Sequence, residues 1–184
     1  MRTLSETTPV HEQHRRQGPP SLACRILTVS DTRSLETDRS GALLAELLAG
    51  AGHRLQGREI VRDDPAAIRA ALLAGLSDPD TDVLLLTGGT GISPRDASVP
   101  IVESLYEQRL PGFGELFRML SWEAIGAAAM LSRATAGTRA GKLMVAMPGS
   151  PAAVELAMTK LLLPEMGHIL RELRKAQGGG QSGG

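Results

Sequence analysis

The stretch Asp82–Asp96, DVLLLTGGTGISPRD, decides how the rest of the chain reads. Val83, Leu84, Leu85 and Leu86 form an unbroken apolar run, the pattern of a strand covered on both faces in an α/β sheet. Thr87–Gly91 then ends the run. Gly88, Gly89 and Gly91 let the backbone enter conformations closed to other residues and let a ligand approach its N–H groups. Arg95 and Asp96 follow at once: a guanidinium forks onto phosphate oxygens, and a carboxylate holds a metal ion or a ring N–H. Strand, glycine turn, hydroxyl and Arg-Asp pair in that order predict a phosphorylated ligand at the carboxyl end of a sheet. The competing reading is a tight turn flanked by a surface ion pair.

Working outward, Cys24–Ser30 reads as a strand and runs into the polar loop SDTRSLETDRSG. A helix over Arg39–Ala51 follows from the apolar stripe Leu43, Leu44, Leu47, Leu48 and Ala51, with Asp38 or Ser40 as its cap and Gly52 as its end. His53–Arg62 is a second, less regular strand. Asp64 before Pro65 is an N-cap followed by proline at the first helical position. Asp63 has no such structural explanation and stands at a strand end, where it can face a ligand.

Beyond the glycine turn, Ser98–Gln108 predicts a helix, and residues 111–133 predict one or two short helices. Two strands joined near Arg139–Gly141 come next, the second covering Leu143–Met147. Ser150 before Pro151 caps another helix, or contacts an anion there, since helix N-termini attract negative charge. Met166–Ala176 is the final helix. Strands alternating with helices predict a three-layer α/β/α sandwich with a mostly parallel central sheet. Residues 21–176 form its one domain, between an N-terminal tail (1–20) and a flexible C-terminal tail (177–184).

A chain of 184 residues is long enough for one well-packed domain and too short for two ordinary ones. Lys plus Arg and Asp plus Glu number 20 each, so no electrostatic footprint for nucleic acid is present. Cys24 is the single cysteine and lies in an apolar run, which excludes an intrachain disulfide and fits a reducing cytoplasm. No stretch has the length and apolarity of a signal peptide core or a membrane span. His11 and His14 read as a solvated arm, with no further ligand nearby to complete a metal site. All four aromatic residues, Tyr106, Phe113, Phe117 and Trp122, fall within one segment, which marks either a local core or a subunit contact.

TGGTGISPRD (87–96), PGFGELFR (111–118), LSRATAGT (131–138) and MPGSPAAV (147–154) together resemble the MogA/MoaB family of molybdenum cofactor biosynthesis proteins. The resemblance covers roughly Cys24–Lys175, and SWEAIG (121–126) with MPGSP is closer to its MoaB branch. It implies a three-layer α/β/α fold, assembly as trimers or hexamers, and transfer of AMP from ATP to molybdopterin in the presence of magnesium. By motif, Thr87, Gly88, Gly89, Thr90 and Gly91 would cradle phosphates of molybdopterin or ATP, with Arg95 assisting. Asp63 and Asp96 match the family's two active carboxylates and would bind magnesium or orient substrate. Ser150 falls where the family has Ser or Asn near the substrate, and Arg62 replaces a proline before the first acid. The resemblance also admits a molybdopterin carrier that transfers no nucleotide.

Overall fold

Six strands and the helices covering them are laid out in a computed structural model that describes residues 21–178. The expected N-terminal tail, with His11 and His14, and the end of the C-terminal tail lie outside the described residues.

The strands are β1 (Ala23–Val29), β2 (Arg54–Val61), β3 (Val83–Thr87), β4 (Gln108–Arg109), β5 (Thr135–Arg139) and β6 (Lys142–Met147). The helices are α1 (Arg39–Gly50), α2 (Pro65–Ser77), α3 (Ser98–Leu105), α4 (Pro111–Ile125), α5 (Pro151–Ala157) and α6 (Leu163–Gly178). Strand order is β2-β1-β3-β6-β5-β4. β2, β1, β3 and β6 pair in parallel, while β5 runs antiparallel to both β6 and β4. The α/β/α architecture with a mostly parallel sheet is therefore as the sequence predicts.

The unbroken apolar run in β3 has a direct cause. Side chains alternate across a strand, so Val83 and Leu85 enter the core under α1, α4, α5 and α6, and Leu84 and Leu86 enter the core under α2 and α3. All four are buried, because both faces of the strand are covered. β6 repeats the arrangement, with Leu143, Val145 and Met147 on one side and Met144 and Ala146 on the other. Cys24 is sealed in the first core, and burial, with the charge of Asp82, pushes its thiol pKa up to about 12. It is packing material rather than a nucleophile.

Two local expectations are revised and one open alternative is decided. The helix from Ser98 ends at Leu105, not Gln108. Tyr106 turns extended, its ring lies over Gly137, and Glu107 N–H donates to Thr138 O, so Gln108 and Arg109 become an edge strand on β5. The two helices expected after Ser150 are one continuous rod, because a π-helical turn at Met158–Leu162 joins α5 to α6. That wider turn accommodates Pro164, which has no N–H to give and whose ring would crowd an ordinary α-turn. At α1, Asp38 is the cap and Ser40 is not; the Ser40 hydroxyl donates to Gly149 O at 2.7 Å.

The aromatic segment divides between its two readings. Phe117 is 1% exposed and Phe113 packs on the same core, their ring centroids 6.2 Å apart. Trp122 is 62% exposed and continues a stripe of exposed Leu116, Met119 and Ile125 along α4.

Candidate functional site

In a sheet ordered β2-β1-β3-β6, the chain leaves β1 to one side for β2 and returns on the other side for β3. Connections that diverge in this way open a crevice at the carboxyl ends of the strands, where α/β folds hold ligands. The loops leaving β1, β2, β3 and β6 all start at that edge, and they carry Asp31, Asp63, the glycine turn and Ser150.

The glycine turn is shaped by contacts that exclude other residues. Gly88 (φ +93) and Gly89 (φ +60) have left-handed backbones. A Cβ on Gly88 would stand 2.4 Å from Val29 O, and one on Gly89 would stand 2.4 Å from Ser98 Oγ. Ser98 holds the turn closed: its hydroxyl donates to Gly88 O at 2.8 Å, and its N–H donates to Gly89 O at 3.1 Å. Thr87 Oγ1 donates to Pro148 O at 3.1 Å, and Gly88 N–H to Met147 O at 3.2 Å, tying the turn to the end of β6. Among the described residues, the N–H groups of Gly89, Thr90 and Gly91 donate to no protein acceptor. Successive free N–H groups in a glycine turn make an anion cradle.

Asp63 lies against this turn. Its Oδ1 is 3.4 Å from the Cβ position of Gly89, is sealed from solvent and has no hydrogen-bond partner. Burial raises its pKa, the charges of Asp31 and Asp96 raise it further, and Arg95 partly offsets them. A buried acceptor without a donor, under the field of two other carboxylates, has the chemistry of a cation or proton site. Asp96 lies against the end of the turn, its carboxylate 2.7 Å from the Cβ position of Gly91 and accepting Ser93 N–H at 2.8 Å. Among the described residues no group of three or more His, Cys, Asp or Glu is placed to hold a metal ion. Magnesium would suit this pair all the same, since it commonly takes only one or two protein carboxylates and completes its shell with water and substrate phosphates.

Arg95 and Ser150 are already engaged. Arg95 Nη2 pairs with Asp31 Oδ2 at 2.9 Å, with the Arg95 side chain 76% exposed. Ser150 Oγ caps α5 by accepting Ala153 N–H at 3.2 Å, and Asp64 caps α2 in the same way at 2.9 Å.

Two residues of the site are not singled out by the sequence. Asp31 is one: Oδ1 accepts Asp63 N–H at 3.1 Å while Oδ2 holds Arg95. Arg133 is the other, donating to Thr90 O at 3.2 Å and to Asp96 O at 2.7 Å. Asp31 is one acid in a loop full of hydroxyls and charges, and Arg133 lies 37 residues beyond its Asp96 partner, so neither has a local signature. An apolar hollow of about 540 Å³ among Leu110, Phe113, Leu116, Leu161 and Ile169 is lined by none of these residues.

Comparison with known proteins agrees with the fold. A model of the probable molybdopterin-binding domain matches residues 25–168. Molybdenum cofactor biosynthesis protein B of Bacillus cereus is 52% identical over 164 residues, covering 89% of this chain and 97% of that protein. The protein of the same name from Bacillus subtilis strain 168 is 48% identical over 165 residues, with the same coverage of both chains. A crystal structure of a molybdenum cofactor biosynthesis protein B superposes with a TM-score of 0.84 at 53% identity, covering 86% of this chain and 99% of that one. The tungsten cofactor synthesizing protein MoaB from Pyrococcus furiosus superposes at 0.76 with 33% identity, covering 85% and 99%. Matched by the domain model over residues 25–168 and by these relatives over most of its length, the chain belongs to the MoaB family of molybdenum cofactor biosynthesis proteins.

Proposed function

We propose that the protein acts in molybdenum cofactor biosynthesis as a magnesium-dependent adenylyltransferase, moving AMP from ATP to the terminal phosphate of molybdopterin. The observation that supports this most is the run of free N–H groups at Gly89, Thr90 and Gly91 beside the unpartnered Oδ1 of Asp63. In the reaction, an oxygen of the molybdopterin phosphate attacks the α-phosphorus of ATP, the bond to the bridging oxygen breaks, and pyrophosphate leaves with the electron pair. Such a transfer depends mainly on alignment and on neutralising charge, and needs no strong protein base.

The glycine-turn amides, with Thr87 anchoring the turn to β6, hold phosphate oxygens. Asp63, against Gly89, and Asp96, against Gly91, are the carboxylates that would hold magnesium. When bound, magnesium neutralises the charge that develops on the leaving pyrophosphate. Arg95 exchanges Asp31 for a phosphate oxygen as the ligand enters, an exchange open to an exposed pair worth little on its own. Ser150 fixes the start of α5 beside the turn, since a Cβ on Gly149 would stand 3.2 Å from Gly88 Cα. The exposed stripe on α4 supports assembly as a homo-oligomer, a trimer or a hexamer, and the buried unpaired Cys24 suits a reducing cytoplasm. Among the described residues no helix is long and apolar enough to cross a membrane.

The test is incubation of purified protein with molybdopterin, ATP and magnesium, with mass-spectrometric detection of adenylylated molybdopterin. Formation of that product, lost on chelation of magnesium, is the expected result. Tight molybdopterin binding without product, in correctly folded oligomer, would instead identify a carrier.

A further inference from the structure

The free N–H groups of Gly89, Thr90 and Gly91 share one property: each belongs to a peptide unit whose carbonyl is held by another part of the chain. Gly88 O accepts the Ser98 hydroxyl at 2.8 Å, Gly89 O accepts Ser98 N–H at 3.1 Å, and Thr90 O accepts Arg133 Nε–H at 3.2 Å. None of the described peptide bonds is cis, and in a planar trans unit the N–H points opposite to the C=O. Fixing three successive carbonyls therefore fixes the direction of the three N–H groups that follow them. Ser98 is fully buried, where its bonds are shielded from competing water.

Arg133 brings a second feature. Its half-buried guanidinium donates to two carbonyls, Thr90 O and Asp96 O, and pairs with no carboxylate among the described residues. Partial burial of a cation without a counter-ion is costly, and an anion held by the N–H groups of the turn would offset part of that cost. The fork also spans the turn. With Nε on Thr90 O and Nη2 on Asp96 O, it sets the backbone of Asp96 against the backbone of the cradle. A lysine ammonium is a point charge without that rigid fork.

We propose that Ser98 and Arg133 are the positioning residues of the phosphate cradle, Ser98 aiming the N–H groups of Gly89 and Thr90 and Arg133 aiming that of Gly91. Neither residue touches the phosphate; both act through the backbone. The donors are aimed before the ligand arrives, so a phosphate group binds without the cost of ordering the turn. The inference rests on the phosphate reading of the glycine turn and extends it to two residues behind the turn.

Inorganic pyrophosphate would be titrated into the full-length protein by calorimetry, and into isotope-labelled protein with the amide resonances of Gly89, Thr90 and Gly91 followed. Arg133→Ala should weaken binding about tenfold or more, the scale of losing a charge-assisted bond, and the ligand-induced shift should shrink most at Gly91. Ser98→Ala should also weaken binding, with the shrinkage greatest at Gly89, whose peptide unit loses the hydroxyl. A general loss of stability would instead affect all three amides together. Arg133→Lys, which keeps the charge without the fork, should recover only part of the affinity, and it carries the test if an alanine variant does not fold. Full recovery in the lysine variant would reduce Arg133 to a source of charge and overturn its positioning role. Wild-type affinity and shifts in the alanine variants, or equal shrinkage at all three amides, would overturn it too. A wild-type protein that binds no pyrophosphate sinks the phosphate reading and this inference with it, whereas binding indifferent to both residues sinks the inference alone.

Discussion

Asp63 lies against Gly89: the Asp63 Oδ1 is 3.4 Å from the point where a side chain on Gly89 would begin, and the carboxyl oxygen has no donor there. The contact is between residues 26 apart in sequence, from loops after two strands that are not neighbours in the sheet. Ser98 and the left-handed backbone at Gly89 require that glycine to stay bare.

Gly89→Ala tests this. The methyl group would meet Ser98 Oγ at 2.4 Å and force a left-handed backbone on alanine, with a cost of about 2 kcal/mol. Denaturant unfolding should record that loss, and calorimetry should record a larger proportional loss of pyrophosphate affinity. Unchanged pyrophosphate binding would remove the turn from the site.

Asp63→Asn should separate function from stability. Because burial and the neighbouring carboxylates raise the folded-state pKa of Asp63, the native protein holds that proton more tightly than the unfolded chain. The ionised carboxylate therefore opposes folding above its folded-state pKa, and the penalty fades as pH falls through that value toward the ordinary carboxylate range. The asparagine variant should match or exceed wild-type stability at neutral pH, lose the advantage in acid, and lose most adenylyl transfer. A variant destabilised at neutral pH would mean that Asp63 is structural.

Asp38 has the opposite sign. Burial raises its pKa, but bonds from Gly41 N–H, Thr28 Oγ1 and the Arg58 guanidinium outweigh burial and hold it below the usual range. Its contribution is present above the unfolded-state pKa and is lost as pH falls through the folded-state value. Asp38→Ala strands Arg58 and uncaps α1, and should cost about 3 kcal/mol at neutral pH. Urea unfolding at neutral and acid pH should show the gap between variant and wild type closing in acid.

Asp31→Asn should release Arg95 and remove one of the charges that raise the Asp63 pKa. The acid limb of the pH–activity profile should then move to lower pH, provided it reports Asp63. A profile that does not move would separate Asp31 from that titration.

Trp122→Glu places a charge in the exposed stripe of Leu116, Met119 and Ile125. Sedimentation should show a smaller assembly than wild type, with unchanged circular dichroism, since Trp122 is exposed within the chain. An unchanged assembly would place the subunit contact elsewhere.

Legibility varied with the range over which each feature is decided. Caps at Asp64 and Ser150 could be read locally, because a side-chain acceptor followed by proline states its own role within one helical turn. The helix from Ser98 is shorter than its apolar pattern predicts because its end is set by β5, where Tyr106 finds Gly137 and Glu107 finds Thr138. Arg95 follows the glycine turn in sequence, yet its pairing with Asp31 lies 64 residues away and has no sequence signal.

By itself, the sequence determined the alternation of strands and helices, the burial of β3 on both faces and the place of the glycine turn. Each of these depends on periodicity or on backbone freedom within a few residues. Only the tertiary structure decided that Asp31, Asp63 and Arg133 meet that turn. Those meetings follow from the order β2-β1-β3-β6, which brings separate strand ends to one edge, and strand order is a property of long-range packing that local pattern does not encode.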